Sequence, residues 1–188
     1  KFGISFNTTF LNQAGALVHV YGDGSVHLNH GGTEMGQGLN TKVAQIVAHE
    51  FQVGFETVKI TATTTGKVPN TSATAASSGT DLNGMAAQAA ARTIKGRMRA
   101  HLAELHQCNP DSVTFTNGRV RAGAAEMSFA EAARTCYLGR VSLSSTGFYA
   151  TPKIHWDKAR SRGRPFYYYA YGAAVSEVAV DLLTGENR

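Results

Sequence analysis

The residues of this chain best suited to chemistry lie in His30-Gly31-Gly32-Thr33-Glu34-Met35-Gly36-Gln37-Gly38 and in Asn70-Thr71-Ser72-Ala73-Thr74-Ala75-Ala76-Ser77-Ser78-Gly79-Thr80-Asp81. Each run is rich in glycine or hydroxyls and precedes a helical pattern. The first turn of a helix carries N–H donors without intrahelical partners and a positive dipole end, so it attracts anions. Glycines in the first run let backbone approach a ligand closely, and the Gln37 amide offers a donor and an acceptor to a heterocycle. In the second run, Ser77 and Thr80 stand near a helix start where hydroxyl and N–H donors together could hold a phosphate. Ala75 and Ala76 contribute almost no side chain, so a ligand could lie against the backbone there. Taken singly, the first run reads as an ordinary strand-to-helix turn, since it matches neither a Walker loop nor GxGxxG. The second reads equally as a capped helix after a mobile loop. Taken together, they suggest one large, polar, phosphorylated ligand, which requires Gln37 and Ser77 to share a face of the molecule.

Positioning these runs requires a frame of mixed elements. Alternating residues over Ala16–Tyr21 and Ser25–Asn29 flank Gly22-Asp23-Gly24, a hairpin signal. Asn40 or Thr41 is the expected cap of a helix to about Gln52, with Val43, Ile46, Val47 and Phe51 on one face. Thr57–Thr61 reads as a strand, and the polar stretch from Thr63 to Thr80 as a loop without regular structure. Ser78 and Asp81 resemble a capping box opening a long helix through Met85, Ala91, Ile94, Met98 and Leu102 to near His106. Val113–Phe115 and Arg119–Arg121 form a second hairpin pattern around Asn117-Gly118, and Ser128 is placed to cap a short helix. Ser142–Phe148 and Phe166–Leu183 alternate as strands. Helices mixed with antiparallel hairpins make the chain α+β, with a mixed or antiparallel sheet and packed helices.

At 188 residues and 43% hydrophobic, residues 1–188 fit one globular unit with a core, here expected to be one subdomain of a larger domain. Lys1 opens the chain in place of Met, and Thr184-Gly185 forms a turn that normally leads to a partner strand; the expectation is a piece of a longer polypeptide. The net charge of +5 is partly local to Lys153, Lys158, Arg160, Arg162 and Arg164. That stretch lacks a helical face, so it reads as a solvated loop or a surface that meets an acidic partner, and not as a nucleic-acid patch. No apolar run has the length of a membrane span, and Lys1-Phe2-Gly3 does not open a secretory signal. Cys108 and Cys136 form no CxxC or Cys/His cluster and read as reduced thiols of a cytoplasmic protein. His30, Glu34 and His49 have no standard metal-ligand spacing, so no metal ligand is assigned.

Longer matches carry a resemblance. His30-Gly-Gly-Thr-Glu-Met-Gly-Gln-Gly-Leu39, Val68-Pro-Asn-Thr-Ser-Ala-Thr-Ala-Ala-Ser77 and Val141-Ser-Leu-Ser-Ser-Thr-Gly-Phe-Tyr149 resemble the molybdopterin-binding portion of the xanthine dehydrogenase/oxidase family. Lys1-Phe-Gly-Ile-Ser-Phe6 and Leu11-Asn-Gln-Ala-Gly-Ala-Leu17 strengthen it, and only the region from about His101 to Ser128 diverges. The resemblance implies a molybdenum-cofactor-binding fold and a molybdenum hydroxylase that oxidises hypoxanthine and xanthine to urate, with molybdenum held by the pterin dithiolene. It implies that Met35, Gly36 and Gln37 contact the pterin, and that Ala76, Ser77 and Thr80 hold its pyran and phosphate side. Ala75 and Ala76 would lie beside the metal, Phe6 would stack on the purine, and Asn7 would neighbour the substrate.

The resemblance also has departures. Asn7 stands where the animal enzymes carry threonine, Gly79 where they carry serine, and Thr8-Thr9 where they carry Val-Pro. The family's catalytic glutamate has no counterpart in this chain, nor have its FAD and 2Fe-2S modules. The resemblance therefore implies that the remaining domains or subunits of the same enzyme are partners, that no catalytic residue lies in this chain, and that the chain alone is inactive. Two other readings stay open: an aldehyde or other N-heterocycle hydroxylase of the same kind, and a non-catalytic binding module of the same fold.

Overall fold

A computed structural model describes residues 8–67, 71–169 and 172–187. Its centre is a four-stranded sheet in the order β3-β2-β1-β7, formed by β1 (Gln13–Val20), β2 (Val26–His30), β3 (Val58–Ile60) and β7 (Ser144–Ala150). The expected first hairpin is present, with Val20 opposite Val26 and Ala16 opposite His30. β7 pairs antiparallel to β1, and β3 lies parallel to β2, so the sheet is mixed. Alternation decides which face is inside. Ala14, Ala16, Val18 and Val20 of β1 and Val26 and Leu28 of β2 are buried.

Two helices cover that inner face. In α1 (Leu39–Phe51), Leu39, Val43, Val47 and Phe51 recur at helical spacing and are fully buried. In α2 (Gly79–Leu105), the alanine-rich first half buries Ala86, Ala87, Ala90 and Ala91. Small residues let α2 settle almost onto the sheet backbone, and a Cβ on Gly147 of β7 would run into the Ala86 carbonyl. Ile94, Met98 and Leu102 continue the expected face, whereas Met85 is exposed. Glu50 of α1 meets Arg92 at 3.1 Å and Lys95 at 3.4 Å across the helix pair.

A second sheet, β4 (Thr114–Thr116), β5 (Arg119–Ala122) and β6 (Ala125–Ser128), stands beside the end of α2. Its first turn is the expected one, with Asn117 and Gly118 both at positive φ. Ser128 caps α3 (Phe129–Leu138) in a full capping box with Glu131. The helices and mixed sheet bear out the α+β expectation.

Two expectations are corrected. Ser78 adopts a helical conformation and makes no side-chain cap; its hydroxyl instead donates to the Ala75 carbonyl at 3.2 Å, so Ser78 and Asp81 form no capping box. The described part of 166–183 is not a strand. Its one ladder contact is a bridge between Val180 and Asn187, and Val175, Leu182 and Leu183 are almost wholly exposed. Alternation alone makes no strand without a neighbour to complete its hydrogen bonds. The basic stretch forms a small hairpin of β8 (His155–Asp157) and β9 (Arg162–Arg164), its cationic side chains exposed as expected of a solvated loop. Cys108 and Cys136 are free thiols. Among the described residues no helix is long and apolar enough to cross a membrane.

Candidate cofactor site

Both glycine- and hydroxyl-rich runs lead into helices that start at the same end of the sheet. Residues 31–38 leave β2 and enter α1; residues 71–78 enter α2. Side chains stitch them together. The Thr33 N–H donates to Thr74 Oγ1 at 2.8 Å. Thr71 occupies the space where a Cβ on Gly31 would stand, and Leu39 and Asn83 do the same for Gly32. A Cβ on Gly79 would meet Leu39 at 3.5 Å. The two runs therefore lie against each other at Thr33–Thr74 and Gly31–Thr71.

The expected cap of α1 is corrected. Neither Asn40 nor Thr41 caps it: the N-cap is Gly38, in a left-handed conformation at φ 75°. Glu34 takes over the role. Its carboxylate accepts the N–H groups of Asn40 at 2.9 Å, Gly36 at 2.9 Å and Gly38 at 3.0 Å. These bonds, that from Asn40 first, hold the Glu34 carboxyl below its ordinary range. A signal for this lay in the sequence: an acid two and four residues before glycines that open a helix.

Gln37 is folded back on its own loop. Its Oε1 accepts the Met35 N–H at 2.6 Å and its Nε2 donates to the Thr33 carbonyl at 2.9 Å. Lys42 Nζ donates to the Gln37 carbonyl at 2.9 Å. Met35 points outward, 68% exposed. In this state the loop presents backbone, a thioether and one edge of an amide.

His30 supports the loop from beneath. It is buried, and its Nδ1 accepts the Gly32 N–H at 3.2 Å, so Nδ1 carries no proton. Burial pushes its pKa down. The Thr63 hydroxyl donates to its carbonyl at 3.1 Å. A cleft of about 440 Å³ opens beside the loop, lined by Gly32, Thr33, Glu34 and Asn40 and by residues 60–63.

The second run is arranged differently. Ala75, Ala76 and Ser77 are exposed, and Ala76 holds a left-handed φ of 54°, rare outside glycine. The Ser78 side chain makes no cap bond to the first turn of α2, which carries the carboxyl of Asp81. Tyr168 reaches over this end and donates to the Ser77 carbonyl at 3.3 Å. Asp81 beneath it has its pKa raised by burial. Tyr168 is pushed up to about 12, by burial and then by the Asp81 charge. Nothing in the sequence pattern singled out Tyr168, which lies 91 positions from Ser77.

Of the residues expected at the site, Met35, Gly36, Gln37, Ala75, Ala76 and Ser77 are exposed, and Thr80 is half-buried in the first turn of α2. Phe6 and Asn7 lie outside the described residues. Among the described residues, no group of three or more His, Cys, Asp or Glu could hold a metal ion.

The sheet carries two helix starts at one end, with glycine- and hydroxyl-rich backbone between them. The model of the molybdopterin cofactor-binding domain matches residues 1–188, and the chain belongs to that family. It is 47% identical to the xanthine dehydrogenase of Oryza sativa subsp. japonica over 186 residues, 99% of this chain and 12% of that protein. It is likewise 47% identical to the xanthine dehydrogenase/oxidase of Felis catus, over 100% of this chain and 13% of that protein. The chain thus spans about an eighth of the length of these relatives. Among solved structures, quinoline 2-oxidoreductase from Pseudomonas putida 86 superposes with a TM-score of 0.67 at 22% identity, over 74% of this chain and 19% of that one. CO dehydrogenase from Oligotropha carboxidovorans gives 0.67 at 24%, over 74% and 18%. At such identities the structural likeness speaks to the fold alone.

Proposed function

We propose that residues 1–188 grip the molybdopterin of a molybdenum hydroxylase that oxidises hypoxanthine and xanthine to urate in cytoplasmic purine catabolism. The observation that carries this reading is the contact of the two runs, tied at Thr33 and Thr74, with the first turn of α2 left uncapped by Ser78. The full-length likeness to xanthine dehydrogenases supports the purine enzyme in particular.

The donor set fits the cofactor. Backbone N–H groups at a helix start suit a phosphate, and the small residues Ala75, Ala76 and Gly36 admit flat rings. Met35, Gly36 and Gln37 would hold the pterin; Ala76, Ser77 and Thr80 would hold its pyran and phosphate side. When bound, the cofactor supplies the metal that takes up the substrate's electrons. To contact the pterin, Gln37 either shares its amide edge or exchanges its bonds to Met35 and Thr33 for bonds to the ring. Ala75 and Ala76 leave room for substrate, Phe6 offers an aromatic face, and Asn7 a polar neighbour. No residue of this chain acts as the base. That glutamate, FAD and 2Fe-2S belong to the rest of the enzyme.

Expression of the complete gene and of the 188-residue chain alone tests this. The complete enzyme should contain molybdenum and pterin and form urate from xanthine. The chain alone, given cofactor and an artificial electron acceptor, should form none. A complete enzyme without molybdopterin, or urate formed by the chain alone, overturns the reading.

A further inference from the structure

The two helix starts at the site are not equivalent. Each brings a row of N–H donors and a positive dipole end. At α2 the N-cap Ser78 makes no side-chain bond to them, and Asp81 stands in the first turn. At α1 the place is taken: the Glu34 carboxylate spans Gly36, Gly38 and Asn40, Oε1 accepting from both glycines and Oε2 from Asn40. Gly36 at φ 95° and Gly38 at φ 75° turn the chain so that a side chain four residues back faces the helix start. A Cβ on Gly36 would meet nothing within 4 Å, so its backbone conformation, and not crowding, calls for glycine.

The same three bonds fix the backbone that lies nearest the ligand on this side. Gly36 and Gly38 flank Gln37, and the Gln37 amide in turn braces Met35 and Thr33. A serine or asparagine cap reaches one or two donors. A glutamate carboxylate reaches three here, and its charge repels a second anion.

We propose that Glu34 is a positioning residue of the cofactor site: an internal anion that sets the Met35–Gly38 backbone against the pterin and fills the start of α1, confining the ligand's phosphate to the start of α2. This rests on the cofactor reading above. Glu34 acts through the loop backbone and not on the reacting atoms.

The test uses the complete molybdenum enzyme with Glu34→Gln, which keeps the shape but loses the charge and one acceptor oxygen. Glu34→Asp is the second variant; it keeps the charge but is too short to span three donors. Ser128→Ala, which removes a helix cap away from the site, is the control. Molybdenum and pterin per polypeptide, the Mo(V) EPR spectrum and the Tm are measured. Both Glu34 variants should lose about tenfold in cofactor content, or show altered EPR lines in what remains. The control should lower the Tm while leaving content and spectrum unchanged. Glu34 variants with parental content and spectrum, whether or not the Tm falls, reduce Glu34 to a helix cap and overturn the inference. Should Glu34→Gln fail to fold, Glu34→Asp decides by the same readouts. A parent enzyme without molybdopterin overturns the cofactor reading and this inference together, which distinguishes that failure from the first.

Discussion

His30 ends β2 with its ring inside the protein and its Nδ1 committed to the Gly32 N–H. A proton on Nδ1 would break that bond and place a charge in the core. Burial therefore holds its pKa below the ordinary 6.5. As pH falls through 6.5 the unfolded chain takes up a proton that the folded chain refuses, so stability is complete above that pH and declines below it. The slope for one such group is at most about 1.4 kcal/mol per pH unit, levelling off below the folded-state pKa. His27, its pKa lowered by burial and by His19 and Lys67, adds in the same direction. Urea midpoints of the parent and of His30→Gln should differ most near neutrality and converge towards pH 5, because the variant loses less stability there. Parallel pH profiles would disprove this assignment. Gly147 is a second decisive residue, because its missing Cβ admits the Ala86 carbonyl. Gly147→Ala should lower stability by about 1 to 3 kcal/mol through overpacking, read from the denaturation midpoint.

Among the elements, capping separates what the sequence made legible from what it did not. Ser128 followed by Glu131 announces a capping box, and the box is there, with Glu131 N–H on Ser128 Oγ at 3.2 Å and Ser128 N–H on the Glu131 carboxylate at 2.7 Å. Ser78 followed by Asp81 announces the same at α2, and it is absent. Asp81 has one methylene fewer than glutamate and is drawn towards Tyr168, a residue remote in sequence. Ser128→Ala should therefore cost about 1 kcal/mol in chemical denaturation, and Ser78→Ala no more than about 0.5. Comparable losses would restore Ser78 as a cap. Hairpins were equally legible, since Gly24, Asn117 and Gly118 supply the positive φ their turns need. The strand expected over 166–183 was not decidable locally, because a strand is defined by its neighbour.

Over the whole molecule, burial ends where the central sheet ends. The core cluster runs from Ala14 to Leu143, and Tyr149 packs at its margin. Beyond it, Lys153, Lys158, Arg160, Arg162 and Arg164 are all exposed, as are Val175, Leu182 and Leu183. Brief trypsin treatment should cut first within that basic stretch and leave a resistant fragment ending near residue 153, seen by mass spectrometry. Early cleavage at Lys95 or Arg99 within α2 would contradict it.

The amino-acid sequence by itself determined the α+β class, the hairpins, the helix faces and the two runs that a ligand would touch, because these depend on periodicity, turn chemistry and long local motifs. Tertiary structure alone decided that Thr33 meets Thr74, that Glu34 caps one helix start while Ser78 leaves the other uncapped, and that Tyr168 lies over Ser77. Each of these depends on which backbone donors packing leaves within reach of which side chain, a property of the assembled chain and of no single segment.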